Sequence, residues 1–189
     1  MVDRAAEALE VFRRARADLD GTCPELASLL EAEEVGTGLL DVSTAKDAIA
    51  LLMAPAPRVA GSSLGERLLL AYHAVFSAGR CVPAAQVADT ARRALGSDGL
   101  LSAENSAAFC FAGFTLAYAD RFDEALEQLA RAIDQARASG TTPMLLLALW
   151  MRSNVHYRRG SLAQAETDAR GALAAEEWFT ARSRFSVMS

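Results

Sequence analysis

Apolar residues recur along most of this chain at intervals of three and four, the spacing that lines one face of an α-helix. Ala5, Ala8, Leu9, Phe12, Ala15 and Leu19 form the first such stripe. Asp20-Gly21-Thr22 ends it, and Pro24 suits the first turn of a second helix through Leu26, Leu29 and Leu30. A shorter helix is predicted from a cap at Ser43 to Met53. Residues 1–54 thus read as an N-terminal helical segment, and the Pro, Gly and Ser of residues 55–63 as a connector between two sub-bundles. Ser63-Leu64-Gly65-Glu66 has the form of a capping box opening a strongly apolar helix to Ser77. Further helices are predicted over Pro83–Leu95, Leu100–Tyr118, Phe122–Ser139, Thr142–Arg159 and from Leu162 to near Trp178. Residues 180–189 carry no clear pattern and read as an irregular tail.

One segment of this pattern repeats. Phe122, Ala125, Leu129, Ala132 and Ile133 recur forty positions later as Leu162, Ala165, Ala169, Ala172 and Leu173. A weaker copy, Ala84, Val87, Ala91, Ala94 and Leu95, precedes them at an offset of 38. A fixed period of this size marks stacked helix pairs, each completing its core against its neighbours. The fold class is therefore all-α, with antiparallel helix-pair repeats over residues 64–179 and eight or nine helices in all. Two backbones approach closely only where small side chains meet, which places Ala125 and Ala165 opposite Gly113 and Ser153 on the preceding helices.

Composition narrows the function more than it names it. The chain is 52% hydrophobic with five prolines, which suits a helical core. Its net charge of −5 and its short, acid-diluted arginine pairs argue against a nucleic-acid surface. Cys23, Cys81 and Cys110 are odd in number and widely spaced, which fits reduced thiols better than disulfides or zinc. Neither His73 nor His156 has a ligand, carboxylate or nucleophile at a readable spacing, so no catalytic, metal or cofactor residue is assigned. Glu31-Ala32-Glu33-Glu34 reads as a solvated helix face rather than a metal site. The N-terminus lacks a signal-peptide core, and no apolar run approaches the ~20 residues that span a bilayer. A cytoplasmic location and no membrane contact are expected.

The turns Ala119-Asp120-Arg121-Phe122-Asp123-Glu124-Ala125 and Arg159-Gly160-Ser161-Leu162-Ala163-Gln164-Ala165 resemble the Gly-polar-apolar-x-x-Ala turn of tetratricopeptide repeats. Asp120 stands where that turn has Gly, and the period exceeds the usual length of about 34. A narrower resemblance rests on the opening Ala5 to Leu19, on Leu116 to Leu126 and on Leu149 to Glu166. These stretches look like the helical-repeat region of large ATP-binding LuxR-type transcriptional regulators of actinobacteria. In that family a P-loop ATPase module precedes the repeats and a DNA-binding helix-turn-helix follows them. Neither GxxxxGK[ST] nor a basic recognition helix occurs here.

The tetratricopeptide resemblance implies that the first helix of each pair lines a concave face, which puts Trp150, Asn154, Tyr157 and Arg158 there. Arg offers a bidentate fork, Asn a donor and Trp a stacking wall, a set suited to a peptide carboxylate. The alternative is that Trp150 and Tyr157 pack between hairpins while Arg158 is simply solvated. In the preceding unit the matching positions, Cys110, Phe114, Ala117 and Tyr118, suit an apolar groove. The leading reading is a non-catalytic repeat domain of a LuxR-type regulator, binding a protein or peptide partner or a small-molecule effector. The second is a dimeric adaptor that self-associates through uncapped repeat ends. The third is an all-helical enzyme or ligand-binding protein with a site under the Pro55–Pro57 connector.

Overall fold

The protein is described from a computed structural model covering residues 2–19, 21–53, 60–96, 100–101 and 106–186, with backbone alone at 2–5, 106 and 178–186. Nine α-helices and no strand occur among these residues. They are α1 (Val2–Asp18), α2 (Pro24–Gly38), α3 (Val42–Leu52), α4 (Leu64–Gly79), α5 (Ala84–Leu95), α6 (Ser106–Tyr118), α7 (Phe122–Ser139), α8 (Thr142–Arg159) and α9 (Leu162–Ser186). The connector residues Pro55 and Pro57, and any site beneath them, lie outside the described residues.

The repeat is carried by the second helix of each pair. Ala84, Phe122 and Leu162 are the first residues of α5, α7 and α9. Their repeated small positions, Ala91, Ala94, Ala125 and Ala132, are completely buried, and Ala165 and Ala172 nearly so. Four turns between helices also share one device. Cys81, Asp120, Gly140 and Gly160 all take a left-handed backbone, with φ of 56, 57, 68 and 85°. In each case the next residue's N–H donates to a carbonyl five residues back: Val82 to Ser77, Arg121 to Leu116, Thr141 to Ala136 and Ser161 to His156. This is the hydrogen bond that closes a helix end with otherwise orphaned carbonyls.

Packing follows a simple rule. The first helices α2, α4, α6 and α8 pack on one another in a row, and each of α3, α5, α7 and α9 packs on its pair partner. Helices α5 and α7 also pack on the next first helix, whereas α9 packs chiefly on α8. The core runs through Leu68, Ala71, Phe109, Leu116, Leu129, Ile133, Met151 and Val155, all essentially solvent-free. Truncating one of the large aliphatic members to Ala costs about 2–5 kcal/mol.

Several boundaries differ from the sequence expectation. Helix α2, which precedes residues 55–63, packs on α4, which follows them. Gly65 lies so close to α2 that a Cβ would stand 2.3 Å from the Leu29 amide nitrogen, and Ser28 Oγ meets Ser63 Oγ at 3.2 Å. Ser63 caps α4 as expected by accepting from Glu66 N, and the Glu66 carboxylate reaches back to the Ser63 backbone and, through Oε2, to the Gly61 and Ser62 amides. Asp41, not Ser43, caps α3: its carboxylate accepts from Ser43 N at 2.8 Å and from Ser43 Oγ at 2.6 Å. Those bonds hold the Asp41 carboxyl below its usual value. Helix α9 runs on through residues 180–186, where an irregular tail was expected.

Candidate functional site

Helix α8 presents Trp150, Asn154 and Tyr157 at intervals of four and three, one face of the helix, with Arg158 beside them. Trp150 and Tyr157 are about half and two-thirds exposed, so they do not pack between hairpins. Neighbouring α6 presents Phe114 and Tyr118 one turn apart, Tyr118 also half exposed. The α6–α8 packing brings the two faces together. Phe114 meets Tyr118 edge-on, ring centroids 5.3 Å apart, and lies 6.4 Å from Trp150. The Arg158 guanidinium sits over the Tyr118 ring, 4.6 Å from its centroid, which orients it while leaving its in-plane N–H donors for an acceptor.

Not every expected residue joins this patch in the expected way. Asn154 Nδ2 donates to its own helix at Trp150 O, 2.8 Å away, so that donor is engaged. Cys110 and Ala117 are solvent-free and belong to the core, since α6 has buried neighbours on several sides. Cys110 Sγ lies 3.6 Å from Met144 Sδ, and burial pushes its thiol up to about 12, which makes it inert at neutral pH. Gly113 faces Gln128 and Leu129, one turn beyond the expected Ala125. Ser153 does meet Ala165, its Oγ donating to the Ala165 carbonyl at 2.8 Å.

Two ionic clusters escaped the sequence reading. On the inner side of α8, Arg152 grips Asp168 of α9 with two hydrogen bonds of 2.7 Å, and the carboxylate is nearly buried. His156 lies a turn further on, with Nε2 3.8 Å from Asp168 Oδ2 and a buried Nδ1 that has no hydrogen-bond partner. Burial lowers the His156 pKa; Asp168 opposes that, and Arg152 and Arg159 add to it. At the other end, Glu34 is buried rather than solvated. Arg13 of α1 donates to its Oε1 at 2.8 Å, and Arg16 stands 3.3 Å from Oε2 and 3.4 Å from Glu31. These carboxylates serve helix packing. No group of three or more His, Cys, Asp or Glu able to hold a metal occurs among the described residues.

A cavity of about 440 Å³ lies further along the same row of first helices, between α2, α4 and α6. Phe111 lines it, and Phe111, Phe114 and Tyr118 follow one another at intervals of three and four on α6. One stripe therefore joins the cavity to the aromatic patch. No helix among the described residues is long and apolar enough to cross a membrane. No protein-family model, no curated protein and no solved structure matches this chain.

Proposed function

We propose that this chain is a non-catalytic helical-repeat domain that recognises an extended protein or peptide segment along its row of first helices. The observation that carries this reading is the patch of Phe114, Tyr118 and Trp150 with Arg158 stacked on Tyr118. Large aromatic side chains left half exposed beside an oriented guanidinium are the composition of a binding hot spot. Aromatic faces supply apolar contact, and Arg158 supplies a fork for a carboxylate. The resemblance to LuxR-type regulators supports a further step, in which an occupied row biases an attached ATPase or DNA-binding module.

Display of random peptides against the whole chain tests the binding reading. Enriched peptides should pair apolar residues with a carboxylate, and Trp150→Ala or Arg158→Gln should weaken them by roughly tenfold or more. The reading fails if no peptide family is enriched, or if the enriched peptides ignore both substitutions.

A second reading, a self-associating adaptor, has its own observation. Leu162 and Leu173 of α9 are about 60% exposed, whereas Ile133, which matches Leu173 in α7, is buried. Sedimentation across a range of concentrations separates the two. A dimer that Leu173→Glu dissociates supports the adaptor, and a monomer at all concentrations removes it.

A further inference from the structure

Arg152, Arg158 and Arg159 all lie in the second half of α8, and they are not alike. Arg152 grips Asp168 of α9, and Arg159 pairs with Asp123 of α7. Arg158 meets the Tyr118 ring and has no carboxylate partner among the described residues. Stacking fixes the plane of its guanidinium and leaves the edge donors for an anion. The aromatic residues around it also end in unanswered donors. The Trp150 indole N–H and the Tyr118 and Tyr157 hydroxyls have no hydrogen-bond partner among the described residues, and all three side chains are at least half exposed. Each offers an apolar ring face and, at its tip, a donor for a carbonyl.

This set matches a chain in the polyproline II conformation. Trp150 and Tyr157 are seven residues apart on one face, about 10 Å along the axis at the α-helical rise. One three-residue turn of polyproline II advances about 9 Å, so prolines at i and i+3 fall on the two rings. Such a chain makes no internal hydrogen bonds, and its carbonyls accept from the indole and phenol donors. An α-helical segment also repeats at about 10 Å, between i and i+7, but its carbonyls are bonded within the helix. The donors at the ring tips would then be covered without acceptors, at a cost in desolvation. Charge fits as well. A polyproline II residue at i+2 stands a third of a turn round from the proline strip, and Arg158 stands about a quarter of a turn round α8 from Tyr157. An acidic side chain at i+2 therefore comes beside the guanidinium.

We propose that the α6–α8 surface binds a proline-rich segment in the polyproline II conformation, with prolines at i and i+3 on Trp150 and Tyr157 and an acidic residue on Arg158. The inference rests on the peptide-recognition reading of this surface and gives that peptide a conformation and a composition. Phe114 and Tyr118 of α6 flank the bound chain. A preformed polyproline II helix loses little freedom on binding, which suits a shallow, exposed surface.

The test is fluorescence anisotropy of labelled, end-blocked nonapeptides titrated with the whole chain. One peptide holds three Pro-Pro-Glu triplets, the second three Pro-Pro-Lys triplets and the third three Ala-Ala-Glu triplets. The Pro-Pro-Glu peptide should saturate at one per chain and bind roughly tenfold or more tighter than either of the others. Arg158→Gln should erase the difference between the Glu and Lys peptides. Trp150→Ala and Tyr157→Ala should each weaken the Pro-Pro-Glu peptide roughly tenfold, and Trp150→Phe, which keeps a ring, should lose less. Thermal unfolding midpoints check that the variants are folded, and the comparison of peptides on the unaltered chain needs no variant. The proposal is overturned if the Pro-Pro-Glu peptide does not saturate, if either other peptide binds as well, or if Trp150→Ala leaves binding unchanged. Peptides selected by display separate this failure from failure of the peptide reading. If they depend on Trp150 and Arg158 but carry no prolines at three-residue spacing, the peptide reading stands and this proposal falls.

Discussion

A left-handed backbone is easily adopted by glycine and strained for residues with a Cβ, yet two of the four matched turns here use Cys81 and Asp120. Asp tolerates the conformation better than Cys because its short polar side chain can bond locally. Cys81→Gly should therefore stabilise by about 1 kcal/mol and Asp120→Gly by about half that, read as rises in the urea midpoint at unchanged slope. The reverse change, Gly160→Ala, should destabilise by a similar amount. His156 makes a second prediction, about pH. Its folded-state pKa is lowered below the ordinary 6.5, so the unfolded chain takes up the proton first. The stability tied to the neutral ring is then complete above about pH 6.5 and is lost as pH falls through the lowered folded value. The groups facing the ring are Asp168, Arg152 and Arg159. His156→Gln should flatten the fall in stability between pH 7 and 5, measured by denaturant titration at each pH. An unchanged slope would mean that another group titrates there.

At the scale of helices, α2 and α4 are held together by contact between backbones. A Cβ on Gly65 would stand 2.3 Å from Leu29 N and 2.4 Å from the Ser28 carbonyl carbon, and neither can move aside as a flexible side chain would. Gly65→Ala should cost about 3 kcal/mol or more, whereas Gly79→Ala, with open space around it, should not. Thermal unfolding of the two variants checks the contrast. The same comparison shows what could be read beforehand. Helix starts at Phe122 and Leu162 were legible because period, turn residues and small-residue positions all agreed. The cap of α3 was not, since Asp41 and Ser43 are both cap formers and only geometry shows that Asp41 accepts while Ser43 donates. Gly65 stood out only as part of a capping box; nothing local to it reveals α2 lying across its backbone. The tetratricopeptide resemblance, not helical spacing, points to the face that carries Phe114, Tyr118 and Trp150, and nothing in the sequence points to the cavity, because its walls lie at residues 33–40, 72–76 and 107–111. The Arg152–Asp168 pair likewise joins two helices whose register is set by packing.

Over the whole molecule, the packing makes stability uneven along the row. Helix α4 is packed against α2, α5 and α6, whereas α9 is packed chiefly on α8. In an array whose units contact only their neighbours, an opening at one end need not carry the rest with it. The Arg152–Asp168 pair is the main polar tie between α8 and α9, and Asp168 is almost completely buried. Asp168→Asn would leave a half-buried guanidinium facing a neutral amide, at a cost of about 2–3 kcal/mol. Because α9 adds little to the packing of α2, α4 and α5, that cost should fall on one end. Native-state hydrogen exchange should show α9 and the facing turns of α8 losing protection in Asp168→Asn, while amides of α4 and α5 keep theirs. Equal loss everywhere would show that the nine helices open as one unit. Such a result would also weaken any mechanism in which an occupant of the row shifts the packing of a few helices without melting the others.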